Sequence, residues 1–206
     1  MSGLYARAVF PWLLEFCTAS ERLARERVTA LKPVYGEVLE VGFGTGLNLP
    51  HYPPSVSRLV ALDPMQMLTR RVSKRIAAAA FPVERVQQVA EHLPFDDQRF
   101  DCVVSTLTLC TVRDPVRVVR EIRRVLRPGG IYVFLEHGRS ESPRIARLQN
   151  WLNPLWKCSG IGCGCNINRP IDRFIIQSGL QISSLERFAL GRPRLLTAMY
   201  RGFAKA

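Results

Sequence analysis

No apolar run in this 206-residue chain approaches the roughly 18–20 residues that a membrane-spanning helix needs. Its first residues lack a basic stretch followed by an apolar core and a small-residue cleavage site, so a secretory signal is not expected. The six cysteines, Cys17, Cys102, Cys110, Cys158, Cys163 and Cys165, follow no disulfide framework, and reduced thiols in a cytoplasmic chain are the default reading. Acids are scarce beside bases: 17 Asp and Glu stand against 29 Lys and Arg, for a net charge of +12. Such a surface attracts nucleic acid, anionic lipid or acidic small molecules, or is simply an arginine-rich solvated face. No pattern in the chain sets an oligomeric state.

Hydrophobic residues make up 47% of the chain, enough for a packed core, and the length favours one domain. The most informative stretch is 38–48, Val-Leu-Glu-Val-Gly-Phe-Gly-Thr-Gly-Leu-Asn. Val38, Leu39 and Val41 read as a buried strand, and Gly42, Gly44 and Gly46 as the turn after it. Glycine lets the backbone take positive φ and lets a ligand approach closely. A dinucleotide loop would carry its third glycine at 47, which is Leu47, and a P-loop would end in Lys-Ser/Thr, which is missing. What remains is E-x-G-x-G-x-G, beginning at Glu40.

Other segments follow in alternation. A helical stretch spans 4–31, interrupted by Pro11 and resuming behind a cap at Ser20. Leu47–Pro50 opens a short helix that Pro53-Pro54 ends. Leu59–Leu62 is a second strand closed by Asp63-Pro64. A basic helix follows over 65–80, then a third strand over Val83–Val89 and the hexapeptide Ala90-Glu91-His92-Leu93-Pro94-Phe95. Phe100–Ser105 is a fourth strand, with Thr106–Val112 as the loop beyond it. Asp114-Pro115 caps and starts a helix that runs to Leu126, on which Arg117, Arg120 and Arg124 share an outer, solvated face. Arg127-Pro128-Gly129-Gly130 leads into a fifth strand, Ile131–Leu135, and then Glu136-His137-Gly138. Ile145–Trp156 is amphipathic, and a glycine- and cysteine-rich loop reaches Pro170. After a helix over Asp172–Ser178, segments 181–188 and 195–204 read as a closing antiparallel pair.

E-x-G-x-G-x-G, the Ala-Glu-x-Leu-Pro-Phe hexapeptide and Leu-Arg-Pro-Gly-Gly, in this order, resemble the class I S-adenosylmethionine (SAM) methyltransferases. Three further strings are similar to the methyltransferase-like thiol methyltransferases of animal membranes and their bacterial relatives. They are Leu-Cys-Thr-Val at 109–112, Phe-Leu-Glu-His at 134–137 and Gly-Cys-Asn-Ile-Asn-Arg at 164–169. The resemblance implies a Rossmann-like, doubly wound α/β sheet of seven strands with an antiparallel C-terminal strand. It implies a helical lid over 1–32 and a SAM-binding domain over 33–206, with 139–170 as an acceptor-site insertion. The animal proteins carry a hydrophobic N-terminal anchor, where this chain has only the short apolar segment at 4–16. The lid's Phe10–Phe16 portion either touches membrane, giving a peripheral contact, or packs on the domain itself.

The resemblance also implies a cofactor set: Glu40, Gly42, Gly44, Gly46, Asn48, Asp63, Pro64, Met65, Ala90, Glu91 and Thr106. Asp63 ends the second strand, where two carboxylate oxygens can accept from both ribose hydroxyls, or cap the next helix. Met65 and Met67 pack on adenine or fill core. Val89 stands where the family commonly has an aspartate for the adenine amino group, so backbone groups near Ala90 and Glu91 take that role.

Methyl transfer mainly needs an aligned acceptor and a dry site. A small thiol is already a few per cent thiolate near neutral pH, so a base is optional. The catalytic candidates are His137, as base or substrate-orienting group, with Glu136, Thr108 and Cys110. His137 alternatively shapes the pocket by bonding its loop. Arg169 meets an acidic group of the substrate or pairs with Asp172. The Cys-x-Cys spacing does not fit a structural zinc site, so no metal is expected. The expected function is methylation of a small lipophilic acceptor, a thiol sulfur first. Phosphatidylethanolamine nitrogen and a quinone ring carbon are alternatives, and a non-enzymatic SAM-binding protein at a membrane surface is an alternative of another class. Nucleic acid is disfavoured, because no Asn/Asp-Pro-Pro-Tyr/Phe motif follows the fourth strand.

Overall fold

The computed structural model describes residues 15–16, 18–65, 69–158 and 164–206, the Cys158 side chain aside. The expected lid segment Phe10–Leu14, Met67 and Cys163 lie outside them. Seven strands form one sheet: β1 (Gly36–Val41), β2 (Val56–Leu62), β3 (Val83–Val86), β4 (Phe100–Thr106), β5 (Leu126–His137), β6 (Gln181–Ala189) and β7 (Ala198–Lys205). Their order is β3-β2-β1-β4-β5-β7-β6. The first five run parallel, and β7 is antiparallel to both β5 and β6. The order reverses between β1 and β4, and the crevice beyond their carboxyl ends is where open α/β sheets bind ligands.

Alternation along the strands splits the core between the two sheet faces. Leu39, Val41, Val60, Leu62, Val103, Tyr132 and Phe134 pack with the helices α3 (Pro115–Val125) and α5 (Ile171–Gln177). Val38, Leu59, Ala61, Val104 and Val133 pack with α1 (Glu21–Leu31) and α2 (Arg70–Ala77). Both expected caps form: Ser20 accepts from the Leu23 amide and Asp114 from the Arg117 amide. The basic helix begins later than its composition suggests, at a Thr69 cap that accepts from the Val72 amide. β3 stops at Val86, short of Val89, because its partner β2 ends at Leu62, opposite Val86. β5 starts early, at Leu126, and bulges around the two glycines before pairing resumes at Ile131.

The helix α4 (Pro143–Cys158) buries Ala146 and Gln149. Gln149 is fully enclosed and bonds the Ser140 amide and the carbonyls of Gly138 and Leu195. Asn153 accepts from the Ile167 amide and donates to Asn166, so α4 holds the loop 164–170 against the end of the sheet. Among the described residues no helix is long and apolar enough to cross a membrane.

Candidate active site

A cavity of about 910 Å³ opens at the carboxyl ends of β1, β2 and β4, within the range of roughly 300–1,000 Å³ usual for small-molecule and cofactor sites. Of the residues expected to hold a cofactor, Glu40, Gly42, Gly44, Asn48, Asp63, Pro64, Met65, Ala90, Glu91 and Thr106 line it. Gly46 does not; it turns the chain above the Phe43 ring, where a Cβ would be crowded.

The glycine turn has a steric cause. Gly42 has a φ of +80°, and a Cβ there would collide with the Thr108 side chain. Thr108 is fixed in that position by donating to the Val41 carbonyl at 3.0 Å. The Gly44 amide donates to Asp63 Oδ2 and the Met65 amide to Asp63 Oδ1, both at 2.8 Å. Each carboxylate oxygen retains a lone pair for a hydroxyl. Burial raises the Asp63 pKa, while these two backbone bonds oppose the rise. Thr45, also on the wall, has a buried hydroxyl with no partner.

The other end of the cavity is built around Arg27 and Glu40. Arg27 is buried and donates to Asn48 Oδ1 at 3.0 Å and to the Thr18 carbonyl at 2.9 Å. Burial lowers its pKa to about 10, against the opposing field of Glu40. Glu40 accepts from Asn48 Nδ2 at 2.9 Å and from the Tyr52 hydroxyl at 2.9 Å. Burial raises its pKa to about 7 despite those bonds. Asn48 Nδ2 also reaches Thr106 Oγ1, at 3.0 Å. Spare acceptors on Asp63, an orphaned hydroxyl on Thr45, a Cβ-free turn at Gly42 and a buried cation at Arg27 fit a cofactor with ribose hydroxyls and a charged tail.

The expected catalytic residues divide. Thr108 lines the cavity, whereas Glu136, His137 and Cys110 lie behind it. The pleat explains Glu136, which shares a face of β5 with Tyr132 and Phe134 and points into the core. Its Oε1 accepts from Ser105 Oγ at 2.7 Å and from the Thr108 amide at 3.1 Å, and its Oε2 is buried without a partner. Burial raises its pKa to about 7. Glu91 turns partly to structure, accepting from the amides of Arg113 and Asp114 at the start of α3.

The strings at 109–112, 134–137 and 164–169 meet in one place. His137 Nδ1 lies 3.0 Å from Cys165 Sγ, and the Cys110 thiol, which donates to the Leu107 carbonyl at 3.4 Å, neighbours the same sulfur closely enough for each to shift the other's pKa. The Asn166 amide and side chain both donate to the Cys110 carbonyl, at 2.8 and 2.9 Å. Arg169 donates to the Leu109 carbonyl and reaches the cavity wall, as does Lys157. It does not pair with Asp172, whose partner is Arg187. The cysteine-bearing string thus adds Cys165 and Asn166 to the site, beside Arg169, which the sequence already singles out as a substrate contact. Arg27 had no mark at all in the sequence. Among the described residues no group of His, Cys, Asp or Glu is arranged to hold a metal ion.

Residues 39–134 match the methyltransferase domain family. A human thiol S-methyltransferase, TMT1B, is 34% identical over 177 residues, covering 76% of this chain and 70% of that protein. A phosphatidylethanolamine N-methyltransferase of Cereibacter sphaeroides is 36% identical over 146 residues, 66% of this chain and 71% of that protein. Among solved structures, a geranyl diphosphate methyltransferase in complex with SAM superposes with a TM-score of 0.69 at 16% identity, covering 94% of this chain and 88% of that one.

Proposed function

The chain belongs to the SAM-dependent methyltransferases, and on that premise we propose that it methylates the sulfur of a small lipophilic thiol. SAM, when bound, supplies an electrophilic methyl group on a sulfonium. In this reading Asp63 and the Gly42–Gly44 turn hold the ribose. Arg27 and Asn48 take the amino-acid end, and the backbone of Ala90 and Glu91 borders the adenine. Thr108, Leu107 and Val112 form the wall against which the acceptor lies. From the region 1–32, Thr18 and Arg27 line the cleft; 33–206 is the catalytic domain, and 139–170 supplies the acceptor side.

The observation that carries the thiol reading is the charge of that side. Arg169 and Lys157 line it, while both oxygens of Glu40 are engaged and Glu136 and His137 stand behind the wall. Two cations favour a thiolate and disfavour a protonated amine. A thiol needs little more, since its reference pKa of about 8.5 leaves a few per cent ionised at neutral pH. The 34% identity to a thiol S-methyltransferase supports the same acceptor.

The test is S-adenosylhomocysteine release from SAM with lipophilic thiols, phosphatidylethanolamine vesicles and a demethylated quinone as separate acceptors. Turnover with the thiols alone supports the reading. Turnover with vesicles or quinone alone transfers the function to lipid nitrogen or ring carbon.

A further inference from the structure

Behind the cavity wall two free cysteines from distant parts of the chain sit side by side. Cys110 follows β4 and is 1% exposed, and Cys165 lies in the loop after α4 and is partly exposed. The two bonds from Asn166 to the Cys110 carbonyl hold the backbones together. His137 Nδ1 is 3.0 Å from Cys165 Sγ, and Arg169 adds a positive field. The His137 ring is itself buried, with Nε2 unpartnered, so its hydrogen bond to the sulfur is the polar contact that orients it.

We propose that Cys165 and Cys110 form a thiol–disulfide exchange site, with Cys165 the attacking and Cys110 the resolving cysteine, whose substrate is a small organic disulfide. The two thiols differ in the sense this requires. The Cys110 hydrogen bond first, then His137 and Arg169, lower the Cys165 pKa against its burial. The bond to Cys165 together with burial pushes Cys110 up. A thiolate is the nucleophile in exchange, and the partly exposed cysteine holds it.

The Cys165 thiolate attacks one sulfur of RS–SR, forming the mixed disulfide Cys165–S–SR and releasing RS⁻. The Cys110 sulfur then attacks the Cys165 sulfur, forms the Cys110–Cys165 disulfide and expels the second RS⁻, which takes up the Cys110 proton. The protein's two thiols are oxidised by two electrons and RS–SR is reduced to two thiols. Excess thiol reverses both steps. This inference stands whichever acceptor is methylated. It also joins the loop carrying Thr108 to the loop carrying Arg169, both on the cavity wall.

The experiment uses the whole protein with excess bis(2-hydroxyethyl) disulfide near pH 7, an alkylating quench and peptide mass mapping. The expected product is a Cys110–Cys165 cross-linked peptide that disappears after reduction. In Cys110→Ser, Cys165 should keep one hydroxyethylthio adduct because nothing resolves it. In Cys165→Ser, Cys110 should stay unmodified. A wild-type protein that pairs Cys165 with Cys158 or Cys163, or leaves it alkylated, overturns the proposal without recourse to variants. An adduct on Cys110 in Cys165→Ser, formed as fast as the wild-type cross-link, overturns the assignment of the attacking sulfur. Thermal melts accompany both variants, and the wild-type map decides if either fails to fold.

Discussion

The amide of Gly44 donates to Asp63 Oδ2 at 2.8 Å, tying the turn after β1 to the end of β2. The same carboxylate holds the Met65 amide through its other oxygen. Asp63→Ala removes both ties and the acceptors assigned to the ribose. Hydrogen bonds to a charged group contribute roughly 1.5–3 kcal/mol each. We expect S-adenosylhomocysteine to bind at least ~30-fold more weakly by calorimetry, with Asp63→Asn in between. Unchanged affinity would put the ribose elsewhere.

Gly42→Ala tests the turn itself. At a φ of +80° the new Cβ is strained and meets the Thr108 side chain. Left-handed strain alone costs on the order of 1–3 kcal/mol, and Thr108 cannot retreat without losing its bond to the Val41 carbonyl. A clear drop in the urea midpoint together with weaker cofactor binding is the expected result. A variant as stable as the parent would show that the turn relaxes freely.

Local signals carried the fold well, and long-range ones carried the site less well. Strands, caps and the glycine turn depend on neighbours within a few residues, which is why Ser20 and Asp114 cap as read. Arg124 reads as solvated beside Arg117 and Arg120, yet it bonds Glu121, Asp97 and the carbonyls of Leu93 and Phe95. The loop 93–97 comes from outside the helix, so helical spacing could not announce it. Arg27 is hidden for the same reason: its burial depends on Asn48, 21 residues away. Position alone, at the end of β5, would set His137 at the cavity mouth. The pleat turns Glu136 inward, and the cysteine loop draws His137 to Cys165.

Stability should depend on pH through Glu136. Burial raises its pKa from 4.5 to about 7. Between those values the folded protein keeps a proton that the unfolded chain has released, so stability falls as pH rises through this window and the loss is complete above it. At about 1.36 kcal/mol per unit the loss is about 3 kcal/mol. Glu40, raised to about 7 in the same way, adds its own share. Glu136→Gln should therefore lose ~2 kcal/mol less than the parent between pH 5 and pH 8. Urea unfolding at three pH values measures it, and parallel curves for parent and variant would mean that Glu136 titrates normally.

Arg169 offers the sharpest test of the acceptor chemistry. Its guanidinium binds the Leu109 carbonyl and reaches the cavity wall, which Lys157 also lines, so it has both a structural and an electrostatic part to play. Removing a nearby positive charge raises the pKa of a thiol at that wall. In Arg169→Gln the pH midpoint for thiol methylation should move up by roughly 0.5–1 unit. A purely structural role would lower the rate equally at every pH and leave the midpoint in place. Arg169→Lys separates the two, because the ammonium keeps the charge while losing the guanidinium's fixed geometry. Its midpoint should return to the parent value even where its maximal rate does not. A midpoint that stays shifted in Arg169→Lys would assign the effect to the loop's position rather than to the charge.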